Sequence, residues 1–217
     1  MNRTGNGAAL CEDPHDFLVI QNLYDAAVRQ LTLKFNILNS EFNVLYARNP
    51  IHHIDGRVKS QSSIVAKLIK RGLPLSIESA RKNINDIAGV RVVCGYIEDI
   101  YKIARVFLNQ TGVRLLKEKD YIKTPKSNGY RSLHLIVEIP VSLSTIQMGV
   151  PVEIQLRTIS MNMWASLEHE VSYKVNSDLV DSYKKELKAC ADDLYAVEER
   201  MQKICHSIRE CPCKTEN

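Results

Sequence analysis

The chain has 217 residues, 45% of them hydrophobic and 25% charged. That excludes a disordered or collagen-like chain and leaves material for one domain with a helical appendage. No run reaches the ~18 apolar residues of a membrane helix, and residues 1–10 carry no apolar signal segment, so a cytoplasmic protein with no membrane partner is expected.

The first predicted element is a long helix over residues 14–48. Asp13 caps it, Pro14 fits its first turn, and Leu23, Ala27, Leu31, Leu38, Phe42 and Leu45 form an apolar stripe before Pro50 ends it. A second helix runs Ser60–Arg71, stopped by Gly72 and Pro74, and a short one covers Ile77–Lys82. Gly89–Tyr96 is β-branched and apolar and reads as a buried strand. Helix 98–109 closes at Gly112 and is followed by a strand over Val113–Glu118. Lys119–Gly129 is a polar loop with Pro125 and Asn128-Gly129 as turn signals. Tyr130–Ile139 and Pro151–Arg157 are strands, and Thr158 or Ser160 starts a helix to about Tyr173. Over 179–208, Val180, Tyr183, Leu187, Cys190, Leu194, Val197, Met201, Ile204 and Ile208 keep a heptad seam. Such a seam packs on a long partner, either the first helix or another subunit. The class is α+β: a mixed sheet of about five strands flanked by helices, with long helices at both ends.

Net charge is +4 but unevenly placed. Arg57–Arg91 holds eight basic residues against Glu78 and Asp86, and Lys102–Arg131 holds eight against Glu118 and Asp120. A basic centre suits a phosphate-bearing partner. The six cysteines form no even framework and fit a reducing compartment. Cys205, His206, Cys211 and Cys213 cluster near the end without the C-x-x-C spacing of a structural zinc site.

Along Val152–Arg157, alternation puts Val152, Ile154 and Leu156 on a core face. Glu153, Gln155 and Arg157 share the other face, which suits a ligand or open solvent. The strand at Tyr130 places Tyr130, Ser132 and His134 together on a polar face. Tyr130 suits base stacking. Asp86, at the mouth of a buried strand, and Glu153 offer two oxygen ligands for Mg²⁺, which takes few carboxylates and fills its remaining positions with water and phosphate. Ser63, Lys67 and Lys70 share a helix face behind Arg57 and Lys59, a set able to grip a polyphosphate. A solvated basic surface is the plain alternative.

Asp86-Ile-Ala-Gly-Val-Arg91, then Pro125-Lys126 through Asn128-Gly-Tyr-Arg-Ser-Leu-His134, then Glu153-Ile-Gln-Leu-Arg-Thr158 with Trp164, Glu168, His169, Tyr173 and Lys174 resemble the synthetase domain of the RelA/SpoT-related enzymes. The short length is similar to the stand-alone small alarmone synthetases of the RelQ type. That resemblance implies a nucleotidyltransferase-like fold over 14–176, a helix over 177–209 in oligomer contacts, and flexible ends at 1–13 and 210–217. It implies transfer of the β,γ-pyrophosphate of ATP to the 3′-hydroxyl of GDP or GTP, giving (p)ppGpp and AMP in a stringent response, with no hydrolase.

By resemblance, Arg57 and Arg91 flank the adenine, and Lys59, Ser63, Lys67 and Lys70 hold the ATP phosphates. Asp86 and Glu153 are the catalytic pair and bind Mg²⁺, Glu153 also as base. Lys126, Tyr130, His134, Gln155, Arg157 and Asn162 shape the GTP/GDP site. Relatives often carry arginine at the position aligned with Lys70, and Arg71 stands next to it. Lys117-Glu118-Lys119-Asp120 resembles the basic R-x-K-D form of the long enzymes, with lysine first. The resemblance further implies a homotetramer and regulation by an alarmone or single-stranded RNA. The competing readings are a catalytically weak nucleotide- or RNA-binding module using the same basic face, and a nucleotidyltransferase that releases pyrophosphate.

Overall fold

A computed structural model describes residues 10, 14–174 and 180–210. The expected Asp13 cap, Cys11, Cys211, Cys213 and most of the two terminal stretches lie outside those residues. The elements are α1 (Pro14–Tyr46), β1 (Ile51–Val58), α2 (Gln61–Lys70), α3 (Ile77–Asn83), β2 (Ala88–Cys94), α4 (Ile97–Leu108), β3 (Arg114–Asp120), β4 (Leu133–Ser142), β5 (Gln147–Thr158), α5 (Ile159–Lys174) and α6 (Val180–Glu210).

The strands form one mixed sheet in the order β1-β2-β5-β4-β3. Only the β2/β5 pair is parallel; β1/β2, β5/β4 and β4/β3 are antiparallel. The core side of the sheet carries Val90, Val92, Leu135, Val137, Val152, Ile154 and Leu156, all at most 1% exposed. Helix α1 packs along β1, β2, β5 and β4, and α4 packs on β5 and β2. The buried α1 stripe is Leu23, Tyr24, Ala27, Leu31, Phe35, Leu38 and Phe42, with Phe35 stacked on Phe107 of α4 at 4.6 Å. Truncating one such leucine costs about 2–5 kcal/mol. Leu45, expected in that stripe, is 61% exposed, because α1 ends one residue later and Ala47 takes φ +48°.

β1 has no counterpart among the expected elements. Its sequence, Ile-His-His-Ile-Asp-Gly-Arg-Val, shows no clean alternation, since it is an edge strand with one face largely in solvent. Its register comes from β2: Asp55 faces Arg91 and Arg57 faces Gly89. Gly56 lies against α1, where a Cβ would come within 2.5 Å of Val28 Cγ1.

The strand expected from Tyr130 begins instead at Leu133. Ser132 is fully buried and donates to the Leu156 carbonyl at 3.1 Å, so it faces no ligand surface. A buried hydroxyl takes the nearest free carbonyl, and that carbonyl comes from another strand, which no local pattern around Ser132 signals. β5 starts earlier than expected, at Gln147, and pairs with β4 as a long hairpin. Ser60 caps α2 through the Ser63 amide (3.3 Å), Ser76 caps α3, and Thr158 Oγ1 accepts from the Met161 amide at the start of α5.

Inside the described fold the heptad seam of α6 does not run along α1. α6 lies against α5 and α4. Ala191 faces inward, and Val197, Met201, Ile204 and Ile208 remain 48–68% exposed.

Candidate active site

Strand register builds two rows across the polar side of the sheet. One runs Asp55, Arg91, Gln155, His134, Lys119; the next runs Arg57, Gly89, Glu153, Ile136, Lys117. Paired residues on neighbouring strands share a face. Charged or polar groups from all five strands therefore meet on one surface, although they lie up to about a hundred residues apart in the chain.

Two adjoining cavities open on this surface. The larger, about 360 Å³, is lined by Lys67, Arg71, Asn83, Asn85, Asp86, Lys117, Lys119, His134, Ile136 and Glu153. The smaller is lined by Asp55, Arg57, Lys59, Gly89, Arg91 and Gln155 together with the same Asp86 and Glu153. The two carboxylates predicted as partners thus stand at the junction of both cavities.

Each carboxylate is already engaged. Lys67 Nζ donates to Asp86 Oδ1 and Oδ2 at 2.7 and 2.6 Å, and Lys59 Nζ is 3.3 Å from Oδ2. Burial alone would raise the Asp86 pKa, but the Lys67 and Lys59 ammoniums outweigh it and hold it below the usual carboxylate range. Burial likewise pushes Glu153 up, and its bonds to His134 and Gln155 overcome that and lower it. Both groups are ionised at neutral pH.

Glu153 belongs to a closed ring of polar contacts. Arg157 Nη2 donates to Tyr130 Oη (2.7 Å) and to Gln155 Oε1 (2.8 Å). Gln155 Nε2 donates to Glu153 Oε2 at 2.7 Å. Tyr130 Oη lies 2.8 Å from His134 Nε2, and His134 Nδ1 lies 3.3 Å from Glu153 Oε1. Because Tyr130 Oη accepts from Arg157, its own proton points to Nε2; in the neutral ring the imidazole proton then sits on Nδ1 and faces Glu153. Asn162 accepts from Arg157 Nη1 at 3.4 Å, and Lys126 Nζ stands 4.6 Å from the centre of the Tyr130 ring. All six residues expected at the acceptor site are thereby in one network around Glu153.

The donor set is less uniformly gathered. Arg57, Lys59, Lys67 and Arg91 line the two cavities. Ser63 is exposed and bonded to Ser60 (2.9 Å), and Lys70 is exposed; neither lines a cavity. Arg71, one turn beyond Lys67, does line one, and its Nη1 donates to the Asn83 carbonyl at 2.6 Å. Sequence reasoning missed Asn83, Asn85, Lys117 and Lys119 as lining residues. It also missed Tyr121, whose ring meets Tyr130 and His134 edge-on at 6.0 and 5.2 Å. Only the two lysines left a trace, in the alternation Lys117-x-Lys119.

Two carboxylates at one junction, with ammoniums and guanidiniums around them and an aromatic wall beside them, can hold two phosphate-bearing molecules against one base. Asp86 and Glu153 are hard oxygen donors and suit Mg²⁺ rather than a soft metal. Among the described residues, no group of three or more His, Cys, Asp or Glu side chains could hold a metal ion. At the other end of the chain, His206 pairs with Glu98 (2.5 Å) across α6 and α4.

Comparison with known proteins agrees in sequence and in shape. The family model for the region found in RelA / SpoT proteins matches residues 56–178. GTP pyrophosphokinase YwaC of Bacillus subtilis (strain 168) is 45% identical over 179 residues, covering 82% of this chain and 85% of that protein. The crystal structure of small alarmone synthetase 2 from Bacillus subtilis superposes with a TM-score of 0.80 at 43% identity, over 88% of this chain and 99% of that one. Small alarmone synthetase 1 from the same organism, bound to its product pppGpp, gives 0.82 at 29% identity, over 90% and 99%.

Proposed function

The chain belongs to the RelA/SpoT family, and from that premise we propose that it moves the β,γ-pyrophosphate of ATP to the 3′-hydroxyl of GTP or GDP, giving (p)ppGpp and AMP. The observation that carries this reading is the position of Glu153. It is ionised, stands at the junction of two cavities, and is tied on one side to aromatic and amide groups suited to a purine nucleotide. On the other side stands a carboxylate ringed by lysines.

The residues divide the work. Arg57 and Arg91, on adjacent strands, sandwich the adenine, and Lys59, Lys67 and Arg71 neutralise the triphosphate. Tyr130 stacks on the guanine, and Lys126, His134, Gln155, Arg157 and Asn162 fix its ring and phosphates. Lys117 and Lys119 extend the same positive wall. Glu153 accepts the proton of the 3′-hydroxyl as that oxygen attacks the β-phosphorus and AMP leaves. Holding both nucleotides in line is worth about 7–11 kcal/mol of the barrier. Asp86 and Glu153 would hold Mg²⁺, which supplies charge neutralisation on the transferring phosphates.

The protein acts as a cytoplasmic homotetramer in this reading. Among the described residues, no helix is long and apolar enough to cross a membrane. Ile159, Met163 and Leu167 of α5 and the open α6 seam form an exposed apolar face suited to a second copy.

The test is direct. With Mg²⁺, labelled ATP and a panel of GMP, GDP and GTP, the protein should release AMP and form a 3′-pyrophosphorylated guanosine nucleotide. Release of pyrophosphate instead would identify a nucleotidyltransferase. Binding of both nucleotides with no product would leave only a sensor.

A further inference from the structure

Lys126 and Tyr130 sit on the stretch 121–132 between β3 and β4, which has no regular secondary structure. Irregular segments of this length carry side chains accurately only where something holds them. Inside the loop, Gly129 N donates to the Lys126 carbonyl (2.9 Å), Lys126 N to the Tyr130 carbonyl (3.2 Å), and Tyr130 N to Asn128 Oδ1 (3.2 Å). These bonds shape the loop but do not fix it to the fold.

Beside the Tyr130 Oη bonds to Arg157 and His134 and the bond from Asn128 Nδ2 to Glu168 Oε1 of α5 at 3.3 Å, α6 adds an attachment of its own. Arg131 Nη2 donates to Asp192 Oδ1 at 3.0 Å, and its guanidinium lies 4.2 Å from the centre of the Tyr195 ring. Arg131 Nη1 reaches back to the Ile122 carbonyl at 3.2 Å and closes the neck of the loop. Lys188 holds the second Asp192 oxygen at 2.7 Å. Next to this clasp, Gly129 takes φ +91° and fits so closely on α6 that a Cβ would lie 2.7 Å from Ala191 Cβ and 3.2 Å from Lys188 Cα. Neither of the cavities where Asp86 and Glu153 meet is lined by an α6 residue. The helix therefore touches the acceptor loop and not the donor pocket.

We propose that α6 positions the acceptor loop: the Arg131–Asp192–Tyr195 clasp and the Gly129–Ala191 contact set where Lys126 and Tyr130 meet the guanine nucleotide. Arg131, Asp192 and Tyr195 are positioning residues, since none lines the two cavities. This rests on the acceptor assignment made above. A loop already held in place loses less conformational freedom when ligand binds, so the clasp appears as acceptor affinity.

The experiment compares Asp192→Ala, Tyr195→Ala and the exchange Arg131→Asp/Asp192→Arg with the wild-type full chain. GDP binding and binding of a non-hydrolysable ATP analogue are measured by calorimetry, and KM for each substrate by turnover. The Asp192 side chain is 44% exposed, so its removal leaves packing intact. The two single variants should weaken GDP binding and raise the GDP KM by about fivefold. Affinity for the ATP analogue and kcat should stay at wild-type values, and the exchange should recover part of the loss. Unchanged GDP affinity in both single variants would overturn the proposal. So would a parallel loss of ATP-analogue affinity, which marks general loosening. Should the wild type bind GDP yet form no product, the catalytic reading fails alone and the GDP comparison still decides the role of α6. Should it bind no GDP, both fall.

Discussion

Lys67 Nζ bridges both carboxylate oxygens of Asp86, at 2.7 and 2.6 Å. In the proposed reading the same ammonium also meets the triphosphate, so one lysine would serve an internal anion and a substrate anion. Mg²⁺ held at Asp86 would free Lys67 for phosphate. Cation and ATP should thus bind with positive coupling. Lys67→Met should lower kcat/KM for ATP by about 10²-fold or more, the scale of losing one preorganised donor to a transferring phosphate. It should also weaken the Mg²⁺ dependence of ATP binding, measured by titrating each in the presence of the other.

Glu153→Gln keeps the side-chain shape and removes the proposed base. Turnover with labelled ATP and GDP should fall by about 10²–10⁴-fold. ATP-analogue affinity should change little, because Lys59, Lys67, Arg57 and Arg91 are intact. Normal turnover in the variant would remove Glu153 from the mechanism.

Acid should act on the site with a defined sign. Asp86 and Glu153 both have pKa values below their unfolded ones. Their contribution to stability is therefore present above the ordinary carboxylate range and is lost as pH falls through the lowered values. Glu198 behaves oppositely: burial raises its pKa, and the nearby Ser160 and Thr158 offset only part of that, so its contribution is lost as pH rises. Glu198→Gln should gain Tm relative to wild type at pH 8 and gain less, or lose, at pH 5. Asp86→Asn should show a shallower fall in Tm between pH 5 and pH 3. Thermal melts across that range check both.

Gly56 tests the junction of β1 with α1. A Cβ there meets Val28 Cγ1 at 2.5 Å, so Gly56→Val should destabilise the fold by about 1–3 kcal/mol through overpacking. Denaturant titration reads this. Arg57 follows directly, so ATP affinity should fall in parallel.

The open apolar seam should govern assembly. Val197 and Met201 are 48% and 56% exposed. Replacing both with glutamate should shift the mass in light scattering from tetramer toward smaller species while far-UV circular dichroism stays unchanged. An unchanged mass would show that the face is not an assembly surface.

Much of this was legible from residue order. The alternation in Val152–Arg157 separated core from polar face correctly, because a strand two residues in period leaves that choice no freedom. The α1 stripe apart from Leu45, the β2 strand and a helix start at Thr158 or Ser160 followed from equally local rules. β1 was hidden because an edge strand draws its register from its neighbour. Ser132, Lys117, Lys119 and Tyr121 were hidden or misplaced because their environment is made by other strands. Local sequence determined which side chains each element could present. Only the tertiary structure decided that Asp86, Glu153 and their cations share one junction, and that α6 turns toward the acceptor loop rather than α1. Strand order, register and helix docking depend on how the whole apolar surface is buried at once, and no local pattern encodes that sum.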